Sequence, residues 1–275
     1  METMTDTLYK VLDAAQQPHH GGTGRWTKGR WRTATGPLVP CENGIHYCRR
    51  DQLVRWLGPT IWLFEDGSPG ETVDAGDKMV TRKGRVVERV DAWNDVTARL
   101  LAADVAEIAL RFIPGSREPF VAAIAAARGF ARGEVGDKEL VAASAVASAA
   151  ALAAAKASWL AVTGDSAGDA ARAAARASSW ESSASYFTGD SAGDAARAAA
   201  RASSWESSAG YSAGDSARAA ARAAAWAASW SAARVGDERF VWESSAGYSA
   251  WDSARSAATR VQTEILFDYL EGRRA

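Results

Sequence analysis

The feature that most constrains this chain is the distribution of its prolines and alanines. All seven prolines lie at or before Pro119, so the following 156 residues lack the strongest helix breaker. Between Ala142 and Arg234, 40 of 93 residues are alanine, which has the highest helix propensity. The sequence therefore predicts an α+β domain over residues 1–115, followed by an all-α, alanine-rich helical bundle or hairpin over residues 116–275.

The second part contains an internal repeat. Ten residues from Thr163 recur unchanged from Thr188, a period of 25, and a shorter copy begins at Gly214, 21 residues after Gly193. The difference of four residues is about one helical turn, which favours helices over a β-solenoid. Glycines spaced four apart, such as Gly210 and Gly214, fit a continuous helix with a smooth packing face or a helix break with Asp or Ser as N-cap. Both alternatives stay open.

The first part alternates short strands with turns. Strands are predicted where β-branched and aromatic residues lie between turn signals, over residues 9–12, 45–48, 60–64, 78–80 and 85–90. A short helix is predicted over residues 51–57. Apolar residues at helical spacing predict a longer helix over residues 95–112.

Charge and composition exclude several classes of protein. A net charge of −1 is not the basic excess of a nucleic-acid or anionic-membrane binder, so neither is an expected partner. Two cysteines do not make a disulfide scaffold and suit a reducing cytoplasm. The chain shows no secretory signal and no run of 18 apolar residues, so we expect a soluble protein without a membrane span.

A glycine-rich turn and a histidine form the candidate ligand site of the first part. The turn over residues 20–24 can expose backbone amides to a phosphate or carboxylate. It matches neither a Walker A loop nor the dinucleotide-binding glycine pattern, and a flexible hairpin loop is the alternative. The candidate ligand-binding residues are His20, Gly22, Gly24, His46 and Trp62.

Three neighbouring motifs have competing interpretations. Cys41, His46 and Cys48 could ligate zinc with a histidine of the turn, but strong zinc signals have cysteines two residues apart, so no metal is predicted. Residues 25–32 carry four basic side chains and two tryptophans, which could bind a nucleic-acid strand. We favour a surface hairpin whose tryptophans fold onto the sheet. The acidic residues within 65–77 are interpreted as a solvated loop.

The tryptophans of the second part are its candidate interaction residues. They are the largest side chains of the alanine-rich helices, and core packing is their default role. Exposed rings would instead act as interface anchors, because Trp and Arg dominate binding hot spots. The candidate partner-binding residues are Trp180, Trp205, Trp226, Trp230, Arg176 and Arg201.

No motif pairs a catalytic nucleophile with its base. The chain lacks the G-x-S-x-G and H-E-x-x-H patterns and has only three histidines. No catalytic residue and no cofactor is therefore predicted.

Several motifs resemble known families. Those of residues 8–112 resemble an actinobacterial and actinophage family of unassigned activity, and residues 117–134 with the helices after them resemble alanine-rich immunity proteins of toxin systems. Residues 44–48 are similar to an NAD-contacting strand of ADP-ribosyltransferase-like folds. The motifs of the first resemblance are Tyr9-Lys10-Val11-Leu12-Asp13, His20-Gly21-Gly22-Thr23-Gly24-Arg25-Trp26, the segment 36–48, the segment 56–62 and Ala75-Gly76-Asp77-Lys78.

These observations lead to one main expectation and two alternatives. The resemblances imply a non-enzymatic protein-binding factor of the immunity or phage anti-defence type in the cytoplasm of a bacterial host, with the helical repeat half as its interaction surface. One alternative is a nucleotide- or NAD-binding, ADP-ribosyltransferase-like first domain that acts on or sequesters a small ligand. The other is a structural protein that self-assembles into a homo-oligomer through its alanine and glycine helix faces.

Overall fold

The computed structural model describes both ends of the chain and only scattered positions of the alanine-rich middle. The described residues are 7–110, 117–136, 138–139, 142–143, 146, 217–218, 221–222, 224–225 and 245–274. Most of the internal repeat therefore lies outside the described residues.

Seven short strands form two antiparallel sheets. Their bounds are β1 (Leu8–Leu12), β2 (Arg32–Thr33), β3 (Ile45–Tyr47), β4 (Thr60–Asp66), β5 (Val73–Asp74), β6 (Met79–Thr81) and β7 (Lys83–Arg89). The larger sheet has the order β1-β4-β7-β2, and the smaller has the order β3-β6-β5. Tyr9 and Cys48 exchange backbone hydrogen bonds of 2.8 and 2.7 Å, which join the two sheets.

The alternation of side chains along β1 and β4 separates two hydrophobic clusters. Tyr9, Val11 and Ile61 point to one face, where they pack with the helices. Leu12 and Trp62 point to the other face, where they pack with β3 and with Trp26. Since side chains alternate in a strand, the larger sheet is covered on both faces.

Three helices have defined bounds: α1 (Asp95–Ala109), α2 (Glu118–Ala131) and α3 (Ser245–Leu270). Helix α1 begins at a capping box, in which the Asn94 side chain accepts from the backbone N–H of Val96 and Thr97, and the Thr97 hydroxyl accepts from the Asn94 N–H. In α2, Pro119 stands in the first turn, where its missing N–H costs no hydrogen bond.

One hydrophobic cluster includes residues from both sides of residue 115. Phe120 of α2 and Phe267 of α3 are each 1% exposed and belong to the same cluster as Leu101 of α1 and Tyr9 of β1. The rings of Tyr9 and Phe267 meet edge to face at 5.5 Å. The α2 and α3 helices thus pack on the first part of the chain, and the domain boundary after residue 115 stays a prediction.

The α+β class is confirmed for the described residues, which combine antiparallel sheets with three helices. The predicted strands β1, β3, β4, β6 and β7 are present within a few residues of their expected bounds, and the predicted long helix is present from Asp95 to Ala109. The predicted helix over 51–57 is only a 3-10 turn, Leu53–Arg55. A segment that ends before Gly58-Pro59 is too short for its hydrogen bonds to offset the entropy cost of starting a helix. The all-α repeat lies mostly outside the described residues.

Gly84 allows β7 to pass beneath an aromatic ring. A Cβ added there would lie 2.1 Å from the Phe64 ring, whereas one added at Gly70 would meet nothing within 4 Å. We expect Gly84→Ala to lower the free energy of unfolding by about 1–2 kcal/mol, because the buried Phe64 ring must shift. Gly70→Ala is the matched control, with an expected change below about 0.5 kcal/mol. Equal urea midpoints for the two variants would contradict this packing account.

Candidate functional site

Hydrogen bonds from an arginine side chain fix the predicted glycine turn. Gly22 and Gly24 have φ of 97° and 84°, a region that side chains rarely adopt. The Arg32 guanidinium donates to the carbonyl oxygens of Gly24 at 3.0 Å and Thr23 at 3.3 Å. The turn is therefore tied to β2.

His20 packs against the 3-10 turn instead of joining Gly24. Its Nε2 donates to the Trp56 carbonyl oxygen at 2.8 Å, and the two rings meet edge to face at 5.3 Å. His20 is exposed, so one edge of its ring faces solvent. A histidine in this position braces the turn against the body of the protein.

His46 is half-buried on β3 and closes the preceding loop. Its Nε2 accepts from the Cys41 backbone N–H at 3.0 Å, which requires that nitrogen to be unprotonated. Burial lowers the pKa of His46, and the nearby charges of Lys10 and Lys78 lower it further. Cys41 has a φ of 70°, so this hydrogen bond accompanies an unusual backbone conformation.

Lys10 is a buried cation that sequence reasoning missed. Its side chain is on the inner face of β1, with Nζ donating to the His46 carbonyl oxygen at 2.6 Å and lying 4.6 Å from the centre of the Trp26 ring. Burial lowers its pKa to about 8. The Arg32 guanidinium lies 4.9 Å from the same ring. Gly24 and His46 are thus linked through Arg32, Trp26 and Lys10.

The remaining candidate of the first part, Trp62, is structural. It is 7% exposed, and its Nε1 donates to the Thr60 hydroxyl at 3.1 Å, which in turn donates to the Leu12 carbonyl oxygen at 2.9 Å. The five candidate ligand residues therefore do not converge on one opening. Their role in ligand binding stays a prediction.

The acidic stretch within 65–77 holds the two sheets together. Asp66 accepts hydrogen bonds from the hydroxyls of Tyr47, Thr72 and Thr81 at 3.0, 2.8 and 2.7 Å. Burial, followed by the Asp66 charge, raises the pKa of Tyr47 to about 12, so the phenol keeps its donor proton. The stretch also forms ion pairs, which are Glu65–Arg85, Glu71–Arg82 and Asp74–Arg49.

Asp104 of α1 accepts four hydrogen bonds, from Arg128, Tyr269 and Arg274. One carboxylate oxygen accepts from Arg128 of α2 at 2.7 and 3.1 Å, and the other accepts from the Tyr269 hydroxyl at 2.8 Å and from Arg274 at 2.6 Å. Arg128 also pairs with Glu107, one turn along α1. We call Asp104, Glu107, Arg128, Tyr269 and Arg274 the three-helix junction.

The three-helix junction lines a cleft of about 550 Å³, to which Arg132, Ile108 and Ile265 also contribute. Burial raises the pKa of Tyr269, and the adjacent Asp104 raises it further, so the phenol remains a donor. Burial alone would lower the pKa of Arg128, but its hydrogen bonds with Glu107 and Asp104 raise it. The charged side chains of the three-helix junction therefore connect the helices to one another.

A second contact attaches α3 to the β-strand region. The Arg50 guanidinium lies 3.7 Å from the centre of the Phe267 ring and pairs with Glu271 at 2.8 Å and Glu264 at 3.4 Å. The last turns of α3 are therefore fixed at two places, one on α1 and one beside β3.

Short helical pieces near the third repeat copy also reach the core. Ala217 and Ala221 are 0% and 3% exposed and belong to the main hydrophobic cluster, while Arg222 is exposed. Gln262 of α3 donates to the Ala221 carbonyl oxygen at 3.0 Å. The candidate partner-binding residues of the second part lie outside the described residues: Trp180, Trp205, Trp226, Trp230, Arg176 and Arg201.

Two further properties concern metal and membrane. Among the residues that the structure describes, no three His, Cys, Asp or Glu side chains are grouped to hold a metal ion. Within the same residues, no helix is both long and apolar enough to cross a lipid bilayer.

Comparisons with family models, curated proteins and solved structures found no match for this chain. The resemblances quoted from its motifs remain predictions.

Proposed function

We propose that the protein is a non-enzymatic binding factor of the immunity or phage anti-defence type, acting in the cytoplasm of a bacterial host. Its α+β body anchors an alanine-rich helical repeat, and the repeat carries the surface that binds another protein. The observation that carries this proposal is the three-helix junction. Helix α2 precedes the repeat segment and α3 begins within its last copy, residues 242–255, and both helices are held by Asp104.

The buried alanines supply a second argument, from helical phase. Ala217, Ala221 and Ala224 are buried, whereas Arg222 is exposed, so one face of this region packs on the body. At 3.6 residues per turn, the sequence spacing predicts positions 226 and 230 on the opposite helical face. Two tryptophans that follow the exposed Arg222 in the sequence have the composition of a binding hot spot.

The proposal is tested by affinity capture of a partner from host lysate with the full chain. We expect one protein to be enriched by the wild type and lost with Trp226→Ala/Trp230→Ala. Each hot-spot tryptophan contributes on the order of 2 kcal/mol, so affinity should fall more than about thirtyfold.

Trp159→Ala is the control, because it removes a tryptophan of the same half outside the proposed set. It should retain the partner. Circular dichroism should give the same melting temperature for wild type and double variant. Retention of the partner by a folded double variant would refute the proposed surface, and a strict absence of any specific partner would refute the proposed function.

A further inference from the structure

The longest acid-free stretch of the first part carries a concentration of positive charge. Residues 14–41 contain Arg25, Lys28, Arg30 and Arg32 and no Asp or Glu. The net charge of −1 for the whole chain hides this local excess.

Backbone pairing places this segment at the edge of the larger sheet. The Gly29 N–H donates to the Val86 carbonyl oxygen at 2.8 Å, and Arg32 and Thr33 are paired with Gly84 and Lys83. On its other side β7 pairs with β4, so residues 29–33 form the outer edge of the sheet. Lys83 is the partner of Thr33, so its side chain lies on the face opposite that of Arg32.

The exposed cations of this segment have no carboxylate partner. The neighbouring Arg85 pairs with Glu65, and Arg82 pairs with Glu71. The Arg32 guanidinium is bonded to the carbonyl oxygens of the glycine turn. The other three cations of the segment are exposed and make no ion pair with an acidic side chain of the described residues, and we call them the basic ribbon: Arg25, Lys28 and Arg30.

The tryptophans of the stretch fix the cations and do not project into solvent. Trp26 is 3% exposed beneath Lys10 and Arg32, and the half-buried Trp31 ring has Lys83 at 5.0 Å and Arg85 at 4.5 Å. The sequence interpretation is right in that both tryptophans fold onto the sheet, but the segment is not a hairpin, because β2 pairs with β7. The exposed residues 27–30 are Thr, Lys, Gly and Arg, which offer no apolar side chain for insertion into a lipid surface.

We propose that the basic ribbon binds the phosphodiester backbone of nucleic acid. Cations without carboxylate partners can exchange solvent for phosphate oxygens and release condensed counterions. Because these contacts are to phosphates, the binding should be largely independent of base sequence.

The test is fluorescence anisotropy of the full chain with a labelled 20-nucleotide single strand and the corresponding duplex, from 50 to 200 mM salt. With about three phosphate contacts, we expect log K for the duplex to fall with log salt at a slope of about −2.7. Lys28→Gln/Arg30→Gln should reduce the steepness of that slope by about 2 and weaken binding at 50 mM salt at least about tenfold.

Arg55→Gln/Arg117→Gln is the matched control, because it removes two exposed positive charges carried by other elements. It should bind as the wild type does. Absence of binding to both oligonucleotides at 50 mM salt would overturn the proposal, as would equal weakening by the two double variants. Binding to phosphatidylserine vesicles without binding to oligonucleotides would also overturn it. Trp226→Ala/Trp230→Ala should bind oligonucleotides normally, so this result is separable from the partner experiment.

Discussion

Asp104→Asn is expected to lower the free energy of unfolding by about 3 kcal/mol, the lower end of the cost of removing one partner from a buried ion pair. The substitution keeps the size of the side chain but removes the charge that Arg128, Tyr269 and Arg274 share. The Asp104 side chain is 13% exposed, so water cannot fully replace it. Urea denaturation at neutral pH measures the effect.

Glu107→Gln provides the matched control for this prediction. Glu107 is also on α1 and also pairs with Arg128, but its side chain is 56% exposed. An exposed ion pair contributes about 0–1 kcal/mol, so the expected loss is under about 1 kcal/mol. If the two variants had the same urea midpoint, Asp104 would not be the group that joins the three helices.

Lys10 is expected to make stability depend on alkaline pH. Its pKa is about 8 in the folded protein and near the ordinary 10.5 when unfolded. Below pH 8 the Lys10 ammonium is charged in both the folded and the unfolded protein. The full free-energy cost of burying this charge then lowers the stability of the folded state. Between pH 8 and 10.5 the folded state releases its proton first, and stability should rise with pH. From pH 7 to pH 10, the wild type should gain about 2–3 kcal/mol relative to Lys10→Met.

Measuring the difference between the two proteins cancels the titration of groups that they share. A Lys10→Met difference that did not change between pH 7 and pH 10 would show that the buried ammonium is not a source of instability.

Local features of the fold could be predicted because their signals are local. The apolar spacing after Asn94 predicted α1, and the Asn94–Thr97 capping box explains its start. The β-branched and aromatic residues that precede the turn similarly predicted β1. Pro119 marks the last proline of the chain and also the first turn of α2, where proline is accommodated.

The contacts that assemble the molecule depend on residues far apart in the chain. In the sequence, Asp104 is one polar position on an apolar helix. Its hydrogen-bond partners in the structure are 24, 165 and 170 residues away. In the sequence, Lys10 is indistinguishable from an ordinary lysine of a strand. Its burial depends on Trp26 and Arg32, which cover that face in the folded protein. Of the candidate ligand residues, Gly24 and His46 are linked through these unpredicted groups, whereas Trp62 belongs to the core.

The proposed binding of another protein by the repeat, with the α+β body as its anchor, can be measured by isothermal titration. The purified, captured partner is titrated against wild type, Trp226→Ala/Trp230→Ala and Trp159→Ala. We expect a Kd increased more than about thirtyfold for the double variant alone, at an unchanged melting temperature. Equal Kd values for all three proteins would refute the proposed surface.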